Sequence, residues 1–184
     1  MIKHPLIDLG ISGPKKSWWY KMQMFNPDFY RGPLLYFDLD VVIVQNIDWL
    51  TKQNLRFLWG IRDFKTLYKP HNTDINSSVM YWDTCTYDWV WQKVLEQGVD
   101  SITSRFHGDQ DFLSKTLNQN QVRYFALDRI KSWRWQCLDG GYDFKKRRWI
   151  SPGTGTKLDV NTDIMVFHGQ PKPHEINDSV VQSY

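Results

Sequence analysis

The chain has 184 residues, 41% of them hydrophobic, and 23 Lys and Arg against 20 Asp and Glu give a net charge of +3. That length suits one domain with a sizeable core, and the near-balanced charge argues against a nucleic-acid binder while allowing mild attraction to anionic ligands. Two cysteines make neither a disulfide framework nor a zinc site, and no apolar run is long enough to span a bilayer.

The N-terminus, Met1-Ile2-Lys3-His4-Pro5, shows no leader, so a cytoplasmic location is expected, with peripheral membrane contact left open. Residues 1–16 read as a loop-like lead-in containing Pro5, Gly10, Gly13 and Pro14. Ser17 is predicted to cap a helix from Trp18 to about Phe25, stopped by Asn26-Pro27-Asp28. Arg31-Gly32-Pro33 is a turn.

From Leu34 to Val44 the chain is apolar on both sides of Asp38 and Asp40, a pattern of a strand buried on both faces. An unpaired carboxylate in an apolar layer is costly. Asp38 should therefore end the strand and Asp40 sit just beyond it, both reaching a cleft at the strand's carboxyl end, where open α/β sheets bind ligands. Two carboxylates in one small space repel, and a divalent cation between them relieves the repulsion. Turn-capping, or pairing with Lys and Arg, would also account for them.

Ile47 to Gln53 reads as a short helix capped by Asp48, Leu55 to Trp59 as a strand, and Asp63 to Thr73 as loop. Ile75 to Trp82 begins polar and ends as a strand. Thr84 to Gln97 is predicted helical, with Val90, Trp91, Val94 and Leu95 on one face and Gly98 as its stop. Gly108-Asp109-Gln110-Asp111 opens another helix, with Phe112, Leu113, Thr116 and Leu117 behind it. Val122 to Leu127 is strand-like, residues 130–162 have no assignable pattern, and Ile164 to His168 is a last short strand. The basic run Lys145-Lys146-Arg147-Arg148 reads as a solvated loop that could touch phosphates or a membrane surface. Strands alternating with helices argue an α/β domain with a mixed sheet. The aromatic content is 16%, with ten Trp; Trp18, Trp19, Trp82 and Trp135 are candidates for stacking on sugar rings as well as for the core.

Four pieces stand in order: Asp38-Leu39-Asp40, Asn76-Ser77-Ser78-Val79-Met80, Asp109-Gln110-Asp111 and His168-Gly169-Gln170-Pro171-Lys172-Pro173. Together they resemble the GT-A glycosyltransferases, most closely the glycogenin- and galactosyltransferase-like family with a DxD motif, over roughly Trp18 to Glu175. The resemblance implies a single Rossmann-like GT-A domain and a metal bound by Asp38, Asp40 and His168. Carboxylates plus an imidazole suit Mn²⁺ better than Mg²⁺. It implies a nucleotide-sugar donor, UDP-linked by expectation, and a sugar, glycan or other small acceptor. Asp109 and Gln110 would hold hydroxyls of the transferred sugar. Asn76 would contact the same sugar, Lys21 the sugar or phosphate, and Gly169 and Lys172 the diphosphate. Such enzymes usually retain anomeric configuration.

The match departs in places. Gly169 follows His168 immediately, where the family usually spaces them, and His174 stands where an aromatic often follows Lys-Pro. Only 37 residues precede Asp38, too few for the family's first nucleotide-binding βαβ unit, so the resemblance implies weak or absent base binding. Two rival functions remain open. One is a haloacid-dehalogenase-like phosphatase, with Asp38 as nucleophile and Asp40 as acid–base. The other is an inactive GT-A-like domain that binds sugar or a partner.

Overall fold

The computed structural model describes residues 6–11, 16–139, 142–143, 146, 148–149 and 155–184. The turn residues Pro5, Gly13 and Pro14, the side-chain cap expected of Ser17, and Lys145 and Arg147 of the basic run lie outside the described residues. In chain order the elements are α1 (Lys16–Tyr20) running into a 3-10 turn (Lys21–Phe25), β1 (Pro33–Phe37), β2 (Val41–Ile43), β3 (Leu58–Arg62) and β4 (Ile75–Asp83). There follow α2 (Asp88–Gln97), α3 (Val99–Arg105), α4 (Asp109–Thr116), β5 (Val122–Tyr124), β6 (Ile130–Ser132), β7 (Tyr142–Asp143), β8 (Arg148–Trp149), β9 (Ile164–Val166) and α5 (Ser179–Gln182).

The strands form a four-stranded sheet in the order β1-β4-β3-β5 and a three-stranded sheet in the order β2-β9-β6, with β7 and β8 as a separate ribbon. Both larger sheets are mixed: β1 and β3 run antiparallel to β4 while β5 is parallel to β3, and β9 is antiparallel to β2 but parallel to β6. The expected mixed α/β architecture is what the chain adopts.

The buried strand is β4, not the run around Asp38. Eight of its nine residues are buried, because both of its faces are covered. Met80 and Trp82 face a cluster with Trp19, Met22, Phe25, Val90, Trp91 and Phe112 from the helical side. Val79 and Tyr81, pointing the opposite way by strand alternation, join Ile61, Ile130, Ile164 and Val166 between the two sheets. The run from Leu34 to Val44 corrects our expectation: it is not one strand but two, in different sheets, and β1 is a half-buried edge. The break falls at Asp38-Leu39-Asp40, so this turn carries the chain from one sheet to the other.

Other boundaries also move. The helix expected over Ile47–Gln53 is only a 3-10 turn, Leu50–Lys52. The second strand begins at Leu58 rather than Leu55, and a 3-10 turn, Phe64–Leu67, interrupts the expected loop. α2 starts at Asp88 rather than Thr84, since Asp83 Oδ1 accepts from the Thr86 N–H and holds a turn there. Leu95, assigned to its buried face, is 53% exposed. Cys85 and Cys137 are free thiols, one exposed and one buried. No helix among the described residues is long and apolar enough to cross a membrane.

Candidate functional site

The Asp38-Leu39-Asp40 turn is pinned from both sheets. The Asp38 N–H donates to the Ser78 carbonyl at 2.8 Å on β4, and the Phe167 N–H donates to the Asp40 carbonyl at 2.9 Å just after β9. Leu39 projects wholly into solvent, while the acids on either side of it reach protein partners. The carboxyl ends of β1, β3 and β9 meet the start of β4 and the start of α4 here, the strand-end position where open α/β sheets place ligands.

Asp38 belongs to a buried ionic cluster. Lys21 Nζ lies 2.8 Å from Asp38 Oδ1 and 3.0 Å from Asp109 Oδ2. The Ser77 hydroxyl donates to Asp109 Oδ2 at 2.6 Å, and the Tyr36 phenol donates to Asp38 Oδ1 at 2.7 Å. Burial alone would lower the Lys21 pKa, but the Asp109 and Asp38 charges outweigh it and the net shift is upward. Burial, and then the Asp38 charge, raise the Tyr36 pKa, so its proton stays on. Gly108 occupies the cap position of α4, and Asp109 opens the helix with its carboxylate on Lys21.

Asp40 carries a different lysine: Lys172 Nζ sits 2.5 Å from Asp40 Oδ2. Lys172 caps the 3-10 turn Pro173–Glu175, its N–H donating to Glu175 Oε2 at 2.6 Å. Between it and His168, Gly169 has φ +82°, a conformation that side chains other than glycine seldom adopt. His168 Nε2 is 2.7 Å from Ser132 Oγ, and the ring stacks on Phe64 and meets Trp135 edge-on. Burial, then the Arg134 charge, then Lys172, against an opposing pull from Asp63, bring the His168 pKa to about 4, so it is neutral at physiological pH.

Gln110 Nε2 donates to Asp63 Oδ2 at 2.7 Å. A carboxylate only accepts, so the amide nitrogen must face Asp63 and the amide oxygen is the end left for other partners. Asn76 is buried in β4, and its Oδ1 accepts from the Ser78 N–H at 3.0 Å.

The structure thus brings Lys21, Asp38 and Asp109 together, and separately Asp40 with Lys172. It does not assemble Asp38, Asp40 and His168 into a preformed metal cluster: among the described residues no group of three His, Cys, Asp or Glu side chains could hold a metal ion. Each acid of the DxD turn carries an ammonium instead. Of the stacking candidates, Trp19 and Trp82 are core, at 1% and 0% exposure. Trp18 is exposed and stacks on His107, and Trp135 packs on His168.

Asp63, Ser77, Ser132 and Arg134 were missed. Asp63 had a usable signal, since it follows the apolar strand residues Ile61 and Leu58 as Asp38 follows Phe37. Ser77 and Ser132 had none, because each acts through partners remote in sequence, and Arg134 had none because its stretch carries no periodic pattern.

No family model matches the chain, and no curated protein matches it. Solved structures do. An active-site mutant of LgtC aligns with TM-score 0.62 at 12% identity, over 91% of this chain and 64% of that one. A structure of the galactosyltransferase LgtC in complex with donor and acceptor sugar analogues aligns with TM-score 0.53 at 16% identity, over 92% and 63%. The glycosyltransferase GlyE of Streptococcus pneumoniae aligns with TM-score 0.56 at 15% identity, over 84% and 38%. The chain spans less than two thirds of the length of these neighbours. At such identities the likeness is one of fold, and the fold is that of the GT-A glycosyltransferases.

Proposed function

We propose that the chain is the catalytic part of a metal-dependent glycosyltransferase that moves a sugar from a nucleotide-diphosphate sugar, UDP-linked by expectation, to a sugar, glycan or other small acceptor. The observation that carries this reading is the Asp38-Leu39-Asp40 turn at the junction of two sheets in a GT-A fold, with one lysine on each acid. The fold favours glycosyl transfer over the phosphatase reading of the same two acids.

The donor set fits a divalent cation such as Mn²⁺ in kind: two carboxylates on one turn and an imidazole held neutral by burial. The Ser132 hydroxyl at His168 Nε2 fixes the orientation of the ring. Asp38, Asp40 and His168 would hold the metal, which supplies Lewis-acid stabilisation of the charge that develops on the departing diphosphate.

The chain's own residues do the rest. Lys172, paired with Asp40 in this structure, would offer its ammonium to a diphosphate oxygen were Asp40 engaged by the cation. Gly169 leaves bare backbone beside that position. Asp109 and Gln110, at the start of α4, accept hydroxyls of the transferred sugar, with Lys21 fixing the Asp109 carboxylate and Asp63 fixing which end of the Gln110 amide faces the cleft. Asn76 lines the same strand end.

The test is Mn²⁺-dependent release of nucleoside diphosphate from a panel of nucleotide sugars. We expect release in the wild type that falls by about 100-fold in Asp109→Asn, the size of a lost charged contact to the reacting sugar. No release from any donor, with the diphosphates still bound, would instead support a domain that binds without catalysing.

A further inference from the structure

We propose that Arg134 is a phosphate-binding residue that, together with Lys172, grips the diphosphate across the His168–Lys172 loop. This inference rests on the nucleotide-diphosphate reading above and adds to it a residue that neither the motifs nor the metal ligands include.

Arg134 lies on the π-type turn Trp133–Cys137 that follows β6, and such turns are frequent at functional sites. Its side chain is half-buried. No ion pair or hydrogen bond joins its guanidinium to any of the described residues. Arg129, five residues earlier, shows the ordinary arrangement, with Nε 2.6 Å from the buried Asp163 carboxylate. A cation partly withdrawn from water without a counter-charge is unfavourable, so something other than folding accounts for its place.

That place is specific. A Cβ added at Gly169 would lie 3.7 Å from Arg134 Nη1 and 3.9 Å from Nη2, so the planar group rests against the bare backbone of the loop. Lys172, three residues beyond Gly169, closes the other end of the same loop. Two cations thus flank the His168–Lys172 loop, one resting on Gly169 and the other paired with Asp40. The missing counter-charge is an anion. A guanidinium offers a fork of donors matched to two phosphate oxygens, and a lysine offers a point charge. A diphosphate can satisfy both at once.

The anion could in principle be the donor's diphosphate or a phosphate on the acceptor, and the probes separate them. Affinities of UDP and of inorganic pyrophosphate, both with Mn²⁺, are measured calorimetrically for wild type, Arg134→Met and Arg134→Lys. Binding of inorganic phosphate is then measured with UDP already bound. We expect Arg134→Met to weaken UDP and pyrophosphate by about 10-fold or more. Arg134→Lys should recover only part of the loss, since it restores the charge but not the fork. Arg134→Met should melt no lower than wild type, because it removes a cation without a partner.

Diphosphate affinities within about twofold of wild type in Arg134→Met would overturn the inference while leaving the proposed function standing. So would a loss confined to inorganic phosphate on the UDP complex, which would place the anion on the acceptor. A fall in melting temperature for both variants would assign the guanidinium a structural task and overturn it too. If the wild type binds neither UDP nor pyrophosphate, the diphosphate reading itself fails and this inference with it.

Discussion

Lys21 shows how a single residue organises the site. It is 8% exposed, yet carries a full charge because Asp38 and Asp109 flank it. Removing it leaves two carboxylates facing each other with little water to screen them. We predict that Lys21→Met costs about 3–5 kcal/mol, read as a lowered urea midpoint with an unchanged slope. The pH dependence follows from the sign of its shift. The folded pKa is raised, so the stabilisation is complete below the ordinary lysine pKa of about 10.4 and is lost as pH rises through the higher folded value. Wild type should therefore show an alkaline loss of stability above that point, and Lys21→Met should show a shallower one, keeping only the part due to buried phenols such as Tyr36. Asp38 and Asp40 were legible because two acids interrupt an apolar run, while Asp109 and Lys172 were singled out only through the order of motifs that carries the GT-A resemblance. Arg134 and Ser77 could not. Arg134 sits in a stretch with no periodic pattern, and Ser77 looks like one of two polar residues ahead of a strand until Lys21 and Asp109 are placed beside it.

At the scale of elements, the polar start of β4 explains itself through those partners. Asn76, Ser77 and Ser78 are buried in a strand covered on both faces because their polar atoms are used: Asn76 Oδ1 on the Ser78 N–H, Ser77 Oγ on Asp109, and the Ser78 carbonyl on the Asp38 N–H. An apolar pattern alone cannot reveal a strand whose hydrogen bonds are tertiary. The same limit blurred the run around Asp38, where continuous hydrophobicity suggested a central strand. β1 is an edge, with its side chains divided between the helical cluster and the inter-sheet cluster. Pairing between β3 and β4 also has an irregular register between Gly60 and Ile61, and Gly60 there is closely packed. A Cβ at Gly60 would meet Ile75 Cδ1 at 2.5 Å and Cγ1 at 2.8 Å. Gly60→Ala is expected to lower stability by about 1–3 kcal/mol, measured by thermal or urea denaturation. Gly60→Ala combined with Ile75→Val should lose less than the two single costs added together, because the pair shares one space.

At the scale of the whole molecule, the GT-A fold joins two sheets through one turn and sets an acid on either side of an exposed leucine. Two lysines from opposite ends of the chain, Lys21 and Lys172, pair with those acids. The consequence is a competition. On the proposed function, a divalent cation at Asp40 would compete with the Lys172 ammonium, whereas Lys21 is held by Asp109 as well. Lys172→Met is expected to bind Mn²⁺ alone several-fold more tightly than wild type, read by paramagnetic titration, and to bind Mn²⁺ with UDP less tightly. Unchanged Mn²⁺ affinity in this variant would mean that Lys172 does not occupy the metal's position. The most direct test of the central claim is calorimetric titration of a small panel of nucleoside diphosphates, with and without Mn²⁺, on wild type and Asp40→Ala. The account predicts binding that requires Mn²⁺ and is lost in Asp40→Ala. Diphosphate binding that is independent of Mn²⁺ and unaltered in Asp40→Ala would contradict it.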